Sequence, residues 1–251
     1  MAIQKTQALL LSRKETRETS CIVSFYTQDF GKIKGLIKGV RGPNAVFGAY
    51  LHEFADYDIV YYEKKRKDIY TISECDLKEA FKQLNIDLER RLWAYYMVEL
   101  VDKLTPLEDK NSRIYLLLLE TLKSLNSEHF IDKVVMAFQI NFLKLLGLMP
   151  QLEACVNCES PLMRQGNFSV RFGGLLCGKC LGADVQSFAV SDGAVASMRM
   201  LAKTQTPNLS RISISRDLRK QISELLERFI DYQLGEHLKS ARFIKAVGIG
   251  A

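Results

Sequence analysis

Residues 53–62 read Glu-Phe-Ala-Asp-Tyr-Asp-Ile-Val-Tyr-Tyr, and their alternation decides the fold class of the first part of the chain. Ala55, Tyr57, Ile59 and Tyr61 fall on one side of an extended backbone; Asp56, Asp58, Val60 and Tyr62 fall on the other. One apolar face and one mixed face is the pattern of a half-buried strand. Thr6–Ser12, Ser20–Thr27, Gly31–Lys38 and Asp68–Glu74 are short segments of the same kind, rich in Ile, Val, Thr, Tyr and Phe. Turn-like stretches at 28–31 (Gln-Asp-Phe-Gly) and 41–44 (Arg-Gly-Pro-Asn) punctuate them. Five short strands ahead of residue 76 predict a small closed or partly closed barrel, because closure removes unpaired edges. An OB-type barrel is the natural candidate at that strand number.

Beyond residue 76 the hydrophobic period changes. Asp87–Leu104, Asn111–Leu125 and Glu128–Leu146 carry apolar residues at helical spacing, with Pro106 between the first two and Gly147 and Pro150 ending the third. Ser191–Lys203 and Ser215–Gly235 are two later helices, in which Ser191 and Ser215 are positioned as N-caps. The expected architecture is α+β: a barrel over residues 1–80, then a helical domain over 81–251 interrupted by a cysteine-rich segment at 153–184.

A hydrophobic content of 47% and a charged content of 25% are those of a globular chain, which argues against disorder and fibrous repeats. No apolar run approaches the ~20 residues that span a bilayer, and the start lacks a basic, then apolar, leader pattern. A cytoplasmic protein is expected, in which paired cysteines are ligands more often than disulfides. The net charge of +6 permits a nucleic-acid partner without demonstrating one. Its placement is more informative. Residues 1–50 hold eight Lys/Arg against three acids, residues 81–150 hold nine of each, and residues 211–251 hold eight against five.

Cys155-x2-Cys158 and Cys177-x2-Cys180 are the strongest local signal. Zinc takes four tetrahedral soft donors, and two close pairs on two turns supply them. Gly173, Gly174, Gly178 and Gly182 are expected to permit the tight backbone this needs. Such a site has no open position for water, so a structural Zn2+ is the expectation; buried thiols or an iron–sulfur cluster are the alternatives. Cys21 and Cys75 have no close partner in sequence and are expected to pack as small buried residues.

His52, His129 and His237 are isolated, no GxxxxGK[ST] loop is present, and pairs such as Asp56/Asp58 and Glu108/Asp109 are expected to be solvated. Nothing assembles a nucleophile, base or catalytic metal, so no enzyme is expected. The stretch 31–41, GKIKGLIKGVR, is more suggestive. At period two Lys32, Lys34 and Lys38 share a strand face able to track phosphates, which Arg41 extends; Phe47 and Tyr50 follow as stacking groups. A merely solvated face is the alternative. Lys64, Lys65, Arg66 and Lys67 form a hairpin tip of the kind that lines a barrel's binding groove.

Taken in order, these features resemble the RecO family of bacterial DNA repair and recombination mediators. The resemblance rests on Thr16–Tyr26 (TRETSCIVSFY), on Gly31–Arg41, and on the four cysteines after the Gly147-Leu-Met-Pro150 break. It closes on Leu238-Lys-Ser-Ala-Arg-Phe243 and spans essentially the whole chain. It implies an N-terminal OB fold, a helical domain with a zinc segment, and binding of single- and double-stranded DNA. It also implies annealing of complementary strands, contacts with single-stranded-DNA-binding protein and RecR, and help in loading the recombinase RecA. One departure is Gly42-Pro-Asn-Ala-Val46, which carries less positive charge than the family pattern leads one to expect. An RNA-binding or transcription-associated zinc-ribbon adaptor is the competing reading.

Overall fold

The computed structural model describes residues 2–16, 19–40, 51–63, 68–162, 166–204 and 206–249. It divides into two compact units, Met1–His129 and Phe130–Ala251.

The first unit holds strands β1 (Ala2–Thr16), β2 (Ser20–Thr27), β3 (Gly31–Lys38), β4 (Ala55–Glu63) and β5 (Tyr70–Ala80). They close into a barrel in the order β1-β2-β3-β5-β4, with β1 returning to pair with β4. All neighbours are antiparallel except β3 and β5, which pair in parallel only at Gly35↔Tyr70 and Leu36↔Thr71. This is the five-stranded OB arrangement. β1 serves two partners: its first half lies on β4 and its second half on β2, with a register shift between Leu10 and Ser12. The predicted alternation holds in β4, where Ala55, Tyr57, Ile59 and Tyr61 enter the core with Val23, Phe25, Ile33 and Ile37. Asp56 departs from expectation. It is 1% exposed, because Tyr115 and Lys78 reach it. Cys21 is buried as expected, whereas Cys75 is half-buried against the same core.

Helices α1 (Lys82–Ile86), α2 (Leu88–Leu104) and α3 (Ser112–Ser127) complete this unit. Asp87 caps α2 by accepting from the Arg90 N–H, and Asn111 caps α3 through the Arg113 N–H. The connection between them fills a gap in the barrel wall. Leu107 bridges Lys32 in parallel where β3 and β5 diverge, and the Glu108 N–H donates to the Lys32 carbonyl at 2.8 Å. The approach is close: a Cβ on Gly31, at φ +68°, would meet the Asp109 carbonyl oxygen at 2.2 Å.

The second unit contains α4 (Ile131–Leu145), α5 (Asp192–Leu201), α6 (Arg216–Leu234) and α7 (Lys239–Ala246). Gly147 ends α4 at φ +73°, with Leu148 N–H returning to the Leu143 carbonyl at 2.8 Å. Ser191 and Ser215 are the N-caps of α5 and α6, accepting from Ala194 N–H and Leu218 N–H. Between α4 and α5 lies a small sheet of β6 (Gly166–Ser169), β7 (Gly174–Leu176) and β8 (Phe188–Val190), ordered β7-β6-β8. Among the described residues no helix is long and apolar enough to cross a membrane.

Candidate metal centre and nucleic-acid interface

The four predicted cysteines converge. The sulfurs of Cys155, Cys158, Cys177 and Cys180 all lie within 4.8 Å of one another, and Cys158 and Cys177 are 3.7 Å apart. Sulfurs at about 2.3 Å from one tetrahedral ion stand about 3.8 Å apart, so the four fit a single ion with small adjustment. Two turns bring them in. Cys155 N–H donates to the Ser160 carbonyl and Glu159 N–H to the Cys155 carbonyl, both at 2.9 Å, and Glu159 turns left-handed at φ +58°. Cys177 directly follows β7, and Cys180 N–H folds back onto its carbonyl at 2.9 Å.

The two turns are fastened side by side. Val156 N–H donates to Leu175 O at 2.9 Å, and Leu175 N–H to Gln151 O at 3.0 Å. Gly174 makes this approach possible: a Cβ there would lie 2.5 Å from the Gln151 carbonyl oxygen and 2.6 Å from Val156 Cγ1. Gly173 sits at φ +73°, as a tight turn requires. Gly178 and Gly182 do neither. A Cβ at either would meet nothing within 4 Å, so the expectation that all four glycines shape the site is corrected to two.

N–H groups also aim at sulfur. Cys177 N–H reaches Cys155 Sγ and Asn157 Nδ2 reaches Cys180 Sγ, each at 3.3 Å. Burial pushes the Cys155 thiol up, but the amides of Cys177, Asn157 and Cys158 outweigh it and hold the group at about 6. The Ser160 hydroxyl and amide lower Cys158. Asn157 lowers Cys180, but its contacts with Cys158, Cys177 and Cys155 push it up to about 11, so the thiolate form that binds metal is favoured at Cys155 and Cys158. Ser169 Oγ donates to Asp184 at 2.5 Å and Gln186 N–H does so at 3.0 Å, which ties β6 to the loop after Cys180 and lowers the Asp184 carboxyl.

The barrel lysines are separated by what covers them. Period two aligns Lys32, Lys34 and Lys38 as expected, but α2 lies over the Lys32 end. Lys32 Nζ meets the Asp102 carbonyl oxygen and lies 3.6 Å from its carboxylate, and Ser24 Oγ donates to the same carboxylate at 3.1 Å. Tyr26 OH reaches the Asn111 carbonyl at 3.3 Å. Burial lowers the Lys32 ammonium against the opposing pull of Asp102. Lys34 and Lys38 are exposed.

Register identifies a residue that one-dimensional reading missed. Leu36 pairs with Ile22, and Ile22 with Lys14, so exposed Lys14 stands on the outer face with Lys34 and Lys38. No strand-local signal marks it, since it becomes a neighbour only through β2. Arg41, Phe47, Tyr50, Lys64, Lys65, Arg66 and Lys67 lie outside the described residues. Of the acidic pairs, Glu108 accepts from Tyr70 OH at the barrel wall, and so is engaged rather than simply solvated.

Fold and site together define a class: an OB barrel joined to a helical unit that carries four cysteines able to hold one metal ion. The model for Recombination protein O N terminal matches residues 1–81, and the model for Recombination protein O C terminal matches residues 86–242. The chain is 32% identical over 246 residues to the DNA repair protein RecO of Desulfatibacillum aliphaticivorans, covering 96% of this chain and 95% of that one. It is 30% identical over 246 residues to that of Moorella thermoacetica, covering 97% and 91%. It is also 30% identical over 247 residues to that of Caldicellulosiruptor bescii, covering 98% and 100%. The chain belongs to the RecO family and is a DNA repair protein of that family.

Proposed function

We propose that this protein is a non-catalytic mediator of recombinational repair that acts on DNA in the cytoplasm, at the nucleoid. It binds single- and double-stranded DNA and anneals complementary strands. On DNA coated by single-stranded-DNA-binding protein it works with RecR to help load the recombinase. The observation that carries this reading is the half of the barrel face that the helices leave open, where Lys14, Lys34 and Lys38 stand exposed. Phosphates held there leave base edges available for a second strand, which annealing requires. Arg41 and the run Lys64, Lys65, Arg66 and Lys67 are, by their charge in the sequence, further phosphate ligands in this reading. Lys32 serves it indirectly, by fixing β3 to α2 through Asp102.

In the same reading the four cysteines hold Zn2+. An all-sulfur, four-coordinate ion is saturated, so its role is to staple the segment between α4 and α5 rather than to activate water. One test is annealing of complementary strands coated with single-stranded-DNA-binding protein, with one equivalent of zinc expected per chain. Acceleration by this protein supports the reading. No acceleration, together with preferential binding of structured RNA, would replace it with the zinc-ribbon adaptor.

A further inference from the structure

The four cysteines of the candidate metal centre are not equally covered. Cys155 is 1% exposed, Cys177 and Cys180 are half-buried, and Cys158 is exposed. The local fold sets this order. Cys155 sits where its turn is fastened to β7 through Val156 N–H, and its sulfur accepts the Cys177 amide. The turn then carries Cys158 outward, where the small Ser160, with Oγ 3.1 Å from the sulfur, does not cover it. Access, together with thiolate character, decides which cysteine an oxidant dissolved in water meets first. On that ground Cys158 leads the other three ligands, and also Cys21 and Cys75, which pack in and against the barrel core.

A second sulfur stands ready beside it. Cys177 Sγ, from the other turn, lies 3.7 Å from Cys158 Sγ. A disulfide closes at about 2.05 Å, so the pair needs less than about 2 Å of movement to join. Room for that movement exists on the Cys177 side. Gly178 follows directly, and a Cβ there would meet nothing within 4 Å.

We infer that Cys158 is a modification site for hydroperoxides, with Cys177 as the thiol that resolves it, so that oxidation releases the ion. This rests on the Zn2+ reading of the four cysteines and adds a reactivity to it. Cys158 Sγ attacks the terminal oxygen of the hydroperoxide, the O–O bond breaks, and Cys158 becomes a sulfenic acid. The departing oxygen takes a proton from solvent and leaves as water or an alcohol. Cys177 Sγ then displaces hydroxide from Cys158 Sγ, forming the S–S bond, and the hydroxide takes a second proton to leave as water. The two cysteines lose two electrons and the hydroperoxide gains them. Only Cys155 and Cys180 remain as donors, two of the four that a structural site requires.

The test uses the full chain loaded with Zn2+ and freed of reductant, its metal content measured first. Hydrogen peroxide is added, a chromophoric chelator follows the released ion, and timed samples are alkylated and mapped by mass spectrometry. The expected result is first modification at Cys158, then a Cys158–Cys177 cross-link, with loss of the ion in step with the cross-link. Dithiothreitol with added Zn2+ is expected to restore both thiols and the ion. Cys158→His keeps a zinc donor while removing the exposed sulfur, and is expected to release the ion about tenfold more slowly. If that variant takes up no metal, the order of modification in the wild-type chain decides alone. First modification at any other cysteine, a cross-link that omits Cys177, or retention of the ion under excess peroxide overturns the inference and leaves the zinc reading standing. Release from Cys158→His at the wild-type rate overturns it equally. A chain that takes up no zinc before oxidation overturns the zinc reading itself.

Discussion

The Lys32 ammonium lies 3.6 Å from the Asp102 carboxylate across the junction of β3 and α2, although it stands in line with the exposed Lys34 and Lys38. Three lysines of one strand face therefore divide into one structural and two surface groups. Lys32→Ala leaves the Asp102 carboxylate facing a polar gap and is expected to destabilise the first unit by about 2–4 kcal/mol, as loss of one partner of a largely buried pair does. Urea unfolding checks this. A variant with full stability and impaired DNA binding would show that Lys32 is a phosphate ligand after all.

Lys34→Gln and Lys38→Gln act differently. Each is expected to leave stability within about 0.5 kcal/mol, since exposed positions away from special features tolerate change. Each is expected to weaken DNA binding and to reduce the salt slope of log K by about one, the signature of one lost phosphate contact. Lys14→Gln is expected to match them. Affinity measured across a salt series decides; a Lys14 variant with wild-type slope would confine the phosphate surface to β3.

Much of this was legible in one dimension, and the failures share a cause. β2 and β3 are seen at their predicted limits because Cys21, Ile22, Val23, Phe25 and Tyr26 make the one an apolar run and Lys32, Lys34 and Lys38 share a face opposite Ile33 and Ile37 in the other. β1 and β5 run well past the predicted Thr6–Ser12 and Asp68–Glu74, since their ends carry Lys14-Glu-Thr16 and Asp76-Leu-Lys-Glu79, whose polarity hides the strand. Those ends are held by ladder bonds to neighbours far away in sequence. The same holds for Lys32, whose period was right but whose cover is a helix seventy residues later. The four cysteines were readable because ligand spacing is local. The short α1 and the three- and four-residue strands β6–β8 are too brief for a period to register.

Removing the metal is expected to affect one unit only. The segment from Gln151 to Asp184 has a sheet of very short strands and little apolar core of its own, so the ion proposed for the four cysteines is expected to be what orders it. Chelation, or Cys158→Ser, is expected to open this segment to limited proteolysis while barrel fragments stay intact. DNA affinity attributable to the barrel is expected to persist. Cleavage within β1–β5 after chelation would contradict this division.

Gly174→Ala tests the same site without touching a ligand. Its new methyl would lie 2.5 Å from the Gln151 carbonyl oxygen, and the backbone that brings Val156 beside Leu175 cannot yield without separating the two cysteine turns. A loss of about 1–3 kcal/mol is expected, with slower metal uptake. Gly178→Ala, whose Cβ meets nothing, is the control and is expected to be neutral. Metal-release rates measured with a chromophoric chelator compare the two.

Asp56 gives the first unit a specific pH dependence. Burial raises its carboxyl, and the Tyr115 hydroxyl at 2.7 Å and the Lys78 ammonium at 3.5 Å only partly oppose that. A carboxyl whose folded value exceeds its unfolded value binds its proton more tightly when folded. Its contribution to stability is therefore fully present below the ordinary carboxylate range and is lost as pH rises through the raised folded value. Asp56→Asn removes the titration while keeping an acceptor for Tyr115. The variant is expected to lose less stability than wild type on going from about pH 4 to pH 7, and Tyr115→Phe to lose more, because the carboxylate is then left with fewer donors. Urea unfolding at a series of pH values measures the difference. A wild-type chain whose Asp56-dependent stability grows with pH would mean that Tyr115 and Lys78 outweigh burial, and the sign assigned here would be reversed.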